Sequence, residues 1–288
     1  MKKLTSKQYW NKAFELAQAQ EQYDLSNTVM VRVKGKERKR YPRIYDDYSE
    51  YIEWNFLYNR YLPRGKFLTI LEVGSAPGDN LVRFHRIFGY IPYGVEYTDA
   101  GVQLNRKLFD NNGIEPGNVI HADAFDESFI KANYEKFDIV ISRGFIEHFD
   151  EPSEVIDMHM ALLKPGGTLI ISIPRISGMQ YFLFKLLNPE IIQLHNRSIM
   201  TKGPFQALFR RPDLQQYRCG YHGVLRLPIC GASQDSKWRK YILGALKDLQ
   251  AGLNILMRIL FWRFRPEGFL FSPYLLFIGR KRTRDEYS

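Results

Sequence analysis

The chain has 288 residues, 45% hydrophobic and 25% charged, an ordinary balance for a globular protein able to bury a substantial core. Its 41 Lys and Arg against 31 Asp and Glu give a charge of +10, which favours acidic partners such as nucleic acid, phosphorylated metabolites or an anionic membrane face and says nothing about fold. The two cysteines, Cys219 and Cys230, have neither metal-knuckle nor redox spacing, so they read as reduced thiols, and no metal site is assigned.

The N-terminal stretch "MKKLTSKQYW" has charges but no apolar run, which excludes a signal peptide reading and points to a cytoplasmic protein. Residues 1–65 read as a charged helical arm. In "SKQYWNKAFELAQAQ", Trp10, Phe14 and Ala17 share one helical face. The segment "VRVKGKERKRYPR" follows, with six cations between Lys34 and Arg43 around a single acid, Glu37; it suits a solvated loop or a phosphate-binding arm. A second helix, "DDYSEYIEWNFLYNRYL", opens on acids and stops at Pro63.

From Phe67 the rhythm changes to short apolar runs, "FLTILEVG", "YGVEYT", "NVIHADA", "FDIVIS" and "GGTLIISIP", separated by helical patterns. Such alternation predicts a parallel sheet covered on both faces. After Pro174 come two apolar helical patterns, then "YHGVLRLPI" as a sixth strand and "SPYLLFIGRK" as the last. Between those strands lies an insertion, 231–268. Its "LKDLQAGLNILMRILFWRFR" is apolar nearly all round except for a stripe of Lys247, Asn254, Arg258 and Arg265. A helix of that kind is buried or faces another apolar surface, so the insertion is a lid, a membrane contact or a dimer element. Nowhere do about 18 uncharged apolar residues run together, so no spanning helix is expected.

The turn "ILEVGSAPGDN" carries the function. Gly74 and Gly78 follow the first strand and open a helix, the position at which a parallel sheet binds nucleotides. A dinucleotide fingerprint needs glycine at 76 and 79, where this chain has Ala76 and Asp79. An aspartate at that helix N-terminus repels a pyrophosphate, and Glu72 adds a second repulsion. A cationic sulfonium with an α-amino group is instead attracted, and glycine lets the backbone approach it.

"LEVGSAPGDN" resembles motif I of class I S-adenosylmethionine (SAM)-dependent methyltransferases, and the layout of N-terminal arm, "EHF" loop and apolar insertion before the last strand looks like that of the bacterial small-molecule and saccharide type. The resemblance covers about 67–174, with "YLLFIGRK" as a seventh, antiparallel strand. It implies a Rossmann-like α/β fold, a doubly wound, seven-stranded, mostly parallel sheet. The methyltransferase domain would be 66–230 and 269–284. The resemblance also implies SAM as cofactor, with Glu96 of "YGVEYT" on the ribose hydroxyls and Asp123 of "HADAF" on the adenine amino group. Glu72, Gly74, Ser75, Ala76, Pro77, Gly78, Asn80, Tyr97, Ala124 and Arg143 complete the expected cofactor-side set. Asn80 suits a helix cap as well as a ligand contact.

In-line transfer of an activated methyl group needs mainly alignment; a hydroxyl acceptor also needs a base. His148 in "FIEHF" lies nearest the expected methyl position, and His195 and His222 fall in segments that would cover the acceptor. "SRGF" replaces the Asn/Asp-Pro-Pro-aromatic motif of base-amino methylation, which argues against that chemistry. The expected reaction is O-methylation of a small molecule or saccharide, lipid-linked if the insertion touches the inner face of the membrane. The alternatives are an RNA ribose methyltransferase, with nucleic acid as a less favoured partner, and a non-catalytic SAM-fold binding protein. A homodimer is compatible with the insertion.

Overall fold

The computed structural model describes residues 2–16, 47–65, 67–227, 237–261, 264 and 266–286. The basic segment 34–43, Cys230 and the first residues of the insertion lie outside them.

Seven strands form one sheet in the order β3-β2-β1-β4-β5-β7-β6. They are β1 (Thr69–Val73), β2 (Ile91–Glu96), β3 (Val119–His121), β4 (Phe137–Arg143), β5 (Leu163–Pro174), β6 (Leu214–His222) and β7 (Tyr274–Lys281). The first five pair in parallel, while β7 runs antiparallel to both β5 and β6. This is the expected mostly parallel sheet with an antiparallel last strand. Order reverses at β1, flanked by β2 and β4, and that reversal leaves a crevice at the carboxyl ends of β1 and β4.

Side-chain alternation divides the core between two faces. Leu71 and Val73 of β1 pack into one cluster with Phe137, Val140 and the helix Pro152–Leu162. Ile70 packs into the other with Ile139, Ile141 and the helices of the N-terminal part. Those are α2 (Tyr48–Ile52) and α3 (Tyr58–Tyr61), joined through a π-helical turn, Glu53–Leu57; the first helix, α1 (residues 7–16), lies instead at the cavity through Trp10 and Phe14. Asp47 caps α2 by accepting from Glu50 N at 2.8 Å. Trp54, Tyr58 and Phe84 pack ring against ring beneath it, so this helix is anchored by aromatic burial.

The sixth strand is displaced from its expected place. "YHGVLRLPI" contributes only Tyr221 and His222 to β6, which starts at Leu214. An edge strand need bury few residues, and Gln215, Gln216 and Tyr217 are exposed, so hydrophobic patterning marks it poorly. Gly223 at φ 79° and Leu225 at φ 35° then turn the chain away from the sheet.

Candidate functional site

A cavity opens at the carboxyl ends of β1, β2 and β4, where the topology places it. Gly74 and Ala76 of the turn form its floor, with Glu96 and Tyr97 from the end of β2 beside them. Asp123 and Ala124 follow β3, and Arg143 and His148 come from β4 and the loop after it. Eight of the expected residues therefore meet at one surface.

The turn is built around its glycines. Gly74 has φ +70°, and a Cβ there would lie 2.9 Å from the Phe145 ring. Gly78 has φ +104°, and its Cβ would fall 2.2 Å from Asn105 Oδ1. Ser75 is 2% exposed and its Oγ accepts from Asn105 Nδ2 at 2.6 Å, so it locks the turn to the helix Asp99–Asp110 that follows β2. Ser75, Pro77 and Gly78 do not line the cavity.

Glu96 is 4% exposed yet reaches the cavity. Thr98 donates to its Oε1 through both N–H and Oγ1, at 2.8 and 2.7 Å, which fixes the carboxylate while its bonds leave Oε2 for a ligand. A fixed carboxylate at a strand end, a side-chain-free approach at Gly74 and an acid at Asp123 fit the ribose, main-chain path and adenine of SAM. Tyr97 lies beside both acids, and burial pushes its hydroxyl up to about 12, so it stays protonated.

Glu72 takes a different place from the one expected. Alternation puts it on the face of Ile70, behind the cavity, where Asn80 Nδ2 donates to its Oε1 at 3.0 Å. Its Oε2 is buried without a partner, and burial lifts the carboxyl to about 7 despite Asn80 and Arg143. Asn80 accepts from Arg143 Nη1 at 3.1 Å, and Arg143 Nη2 pairs with the fully buried Glu53 at 3.1 Å. Arg143, held charged by Glu53, therefore joins the cavity wall to an interior polar chain.

His222 belongs to that chain and not to the cavity. It is 2% exposed, with Nδ1 3.2 Å from Glu267 and Nε2 4.0 Å from Glu53. Its placement corrects the expectation of a catalytic role: in sequence only its distance after the sheet was visible, and the pairing with Glu53 is tertiary.

His148 and His195 do come together, with ring centroids 4.6 Å apart. Nδ1 of His148 lies 2.8 Å from Leu194 O, and Nδ1 of His195 lies 2.7 Å from Ile191 O. Burial lowers both imidazoles, His148 to about 4. His148 lines the cavity and His195 stands behind it. Beside them is Glu147, fully buried, with both carboxylate oxygens unpartnered and its carboxyl pushed up to about 8 by burial. One donor atom from each of these three residues lies within 4.8 Å of the others.

The N-terminal segment closes the cavity, a role that sequence reasoning missed. Leu4 N donates to His148 O at 2.8 Å, and Asp150 N to Lys2 O at 3.2 Å. Lys3 pairs with Asp123, and its ammonium lies 5.0 Å over the Tyr97 ring. Trp10 sets its edge against His148 at 5.2 Å. The shared helical face of Trp10 and Phe14 was the available signal.

Comparisons with known proteins bear on this site. Residues 45–217, more than half of the chain, match a family model described as a methyltransferase domain. A ubiquinone biosynthesis O-methyltransferase of Actinobacillus pleuropneumoniae serotype 5b (strain L20) is 28% identical over 107 residues, covering 36% of this chain and 44% of that protein. One of Saccharophagus degradans is 24% identical over 182 residues, covering 62% and 72%. The chain thus spans less than half the length of the first of these curated relatives. Among solved structures, the geranyl diphosphate C-methyltransferase of Streptomyces coelicolor A3(2), crystallised with Mg2+, geranyl diphosphate and S-adenosyl-L-homocysteine, superposes with a TM-score of 0.51 at 14% identity, covering 81% of this chain and 79% of that one. At that identity the likeness is one of fold.

Proposed function

This chain belongs to the class I SAM-dependent methyltransferases, and on that premise we propose that it transfers the methyl group of SAM to a hydroxyl of a small molecule. The observation that carries the reading is the convergence of Glu96, Asp123 and Gly74 on one cavity whose far wall is His148.

Glu96 would hold the ribose through its open oxygen, Asp123 would take the adenine amino group, and the main chain at Gly74 and Ala76 would follow the rest of the cofactor. SAM supplies an electrophilic methyl group, so the protein's work is to align the acceptor and exclude water. Phe125, Phe145 and Phe149 pack together at the wall and provide the exclusion. A hydroxyl becomes a competent nucleophile only as it loses its proton. His148, in the cavity lining, marks where the acceptor hydroxyl would sit. Two curated relatives bearing O-methyltransferase names support this chemistry loosely.

The acceptor is a free small molecule or saccharide, or one carried on a lipid. The lipid reading has its own observation. Ile259 is 73% exposed and Leu260 63% exposed on the long helix Lys237–Phe261, and Phe182 on the apolar helix Met179–Leu187 is 71% exposed. No helix among the described residues is long and apolar enough to cross a membrane. Such a face suits a peripheral contact that brings a lipophilic acceptor to the site.

Calorimetric titration with SAM, S-adenosylhomocysteine and NAD, on wild type and Glu96→Ala, tests the cofactor side. Binding of the two adenosyl ligands, lost in Glu96→Ala and absent for NAD, is expected. Methyl transfer from labelled SAM is then compared across hydroxylated small molecules, saccharides and RNA. Label only in RNA would replace this acceptor reading with the ribose-methylating one, and no adenosyl binding would leave a non-catalytic scaffold.

A further inference from the structure

We propose that Glu147, His148 and His195 bind one divalent transition-metal ion beside the cavity, and that this ion activates the acceptor hydroxyl. The inference rests on the methyl-transfer reading for its role, but the site itself rests on geometry alone.

The donors are a carboxylate and two imidazoles, one atom from each lying within 4.8 Å of the others. Both imidazoles are set for coordination. A backbone carbonyl can only accept, so the Nδ1 of His148 on Leu194 O and the Nδ1 of His195 on Ile191 O each carry the ring proton. Each Nε2 is thereby left with its lone pair. A ring nitrogen donating to a carbonyl while the other faces a metal is the recurring support for metal-binding histidine.

Glu147 supplies the independent observation. It is 0% exposed, and neither carboxylate oxygen has a partner. Among the described residues no Lys or Arg pairs with it. A buried carboxylate without donors is costly, and a cation is the partner that would offset the cost. The surrounding backbone holds the arrangement. Asn196 N donates to Glu147 O at 2.6 Å, and Asn196 Nδ2 to Phe149 O at 3.0 Å, which ties the His195 loop to the turn after β4.

The cluster also communicates with the cavity. His148 and Gly144 both line it, and a Cβ on Gly144 would stand only 3.5 Å from Glu147 Oε1. One carboxylate and two imidazoles suit Zn2+, Mn2+, Co2+ or Fe2+ better than Mg2+ or Ca2+, which prefer all-oxygen sets. Three protein donors leave a position for an oxygen ligand, as catalytic sites do. An acceptor hydroxyl there loses its proton to water more readily. The O–CH3 bond then forms as the S–CH3 bond breaks, sulfur keeps the electron pair as a neutral thioether, and the metal's oxidation state is unchanged.

The test uses full-length protein stripped with a chelator and titrated with Mn2+, Zn2+ and Co2+ in the absence of SAM. One equivalent bound is expected, with a visible ligand-field absorption for Co2+ and a rise in melting temperature. Glu147→Gln and His195→Asn should each weaken binding by more than about 100-fold. Glu147→Gln replaces an unpaired acid by its isostere, so its metal-free melting temperature should match or exceed that of wild type. Absence of stoichiometric binding, or binding equal in both variants and wild type, would overturn the site. A parallel SAM titration separates the two readings. SAM binding without metal binding removes this inference alone, whereas metal binding without SAM binding removes the methyl-transfer role and leaves a metal site.

Discussion

Gly78 shows how much a single backbone position decides. Its φ of +104° lies where a Cβ is strained, and that Cβ would meet Asn105 Oδ1 at 2.2 Å. Gly78→Ala should lower stability by about 1–3 kcal/mol in chemical denaturation, and weaken adenosyl binding because Ser75 and Gly74 would move with the turn. Glu72 gives a pH signature. Its carboxyl stands at about 7 in the folded protein, chiefly through burial, against 4.5 ordinarily. Between those values the folded protein holds a proton that the unfolded chain has released, so the contribution to stability is full below 4.5 and lost as pH rises through 7. The difference in unfolding free energy between wild type and Glu72→Gln should therefore change across pH 4.5–7 and be flat above it. A pH-independent difference would mean that Glu72 ionises normally.

The long helix Lys237–Phe261, called α4 here, inverts the usual arrangement of an amphipathic element. Its buried residues include Gln250 and Asn254, while Leu249, Ile255, Leu256, Ile259 and Leu260 are exposed. The inward polar groups are stitched to backbone. Leu227 N donates to Gln250 Oε1 at 2.8 Å, Gln250 Nε2 to Leu225 O at 3.0 Å, and Tyr48 N to Asn254 Oδ1 at 3.2 Å. Asn254→Leu would strand the N–H of Tyr48 at the start of α2 and should cost about 1–3 kcal/mol. Ile259→Ser on the outer face should change stability by no more than about 0.5 kcal/mol. If that face meets lipid, the same substitution paired with Leu260→Ser should reduce sedimentation with anionic vesicles several-fold, and unchanged sedimentation would leave the face to another partner.

At the scale of the molecule, two connections among the described residues bear on the site. One is the buried polar chain from Glu72 through Asn80, Arg143 and Glu53 to His222, Glu267 and Arg218, which links β1 and β4 to the π-helical turn and to β6. The other is the N-terminal segment laid over the cavity, held at Lys2, Lys3 and Leu4 and packed through Trp10. A segment that closes a site slows release more than it slows entry. Trp10→Ala should speed dissociation of S-adenosylhomocysteine several-fold in stopped-flow displacement, with the affinity loss falling mainly in the off-rate. An unchanged off-rate would make the segment a passive cover.

The sequence by itself determined the sheet and its cofactor. Alternating apolar runs and helices dictated β1 to β5, because a strand buried on both faces must be continuously apolar, and the failed dinucleotide glycines at Ala76 and Asp79 pointed to SAM. Gly74, Glu96 and Asp123 were legible because strand ends in such a fold converge on one edge. Tertiary structure alone decided which face each residue met. Two residues from Gly74, Glu72 turned behind the cavity by the alternation of β1, and His222, far along the chain, paired with Glu53 of the N-terminal part. β6 escaped patterning because an edge strand leaves polar residues in water. The Glu147, His148 and His195 cluster depends on a loop that returns across 46 residues from Leu194 to His148. Local sequence carries no signal for such a closure, since the energy that fixes it is made only when the distant segments pack.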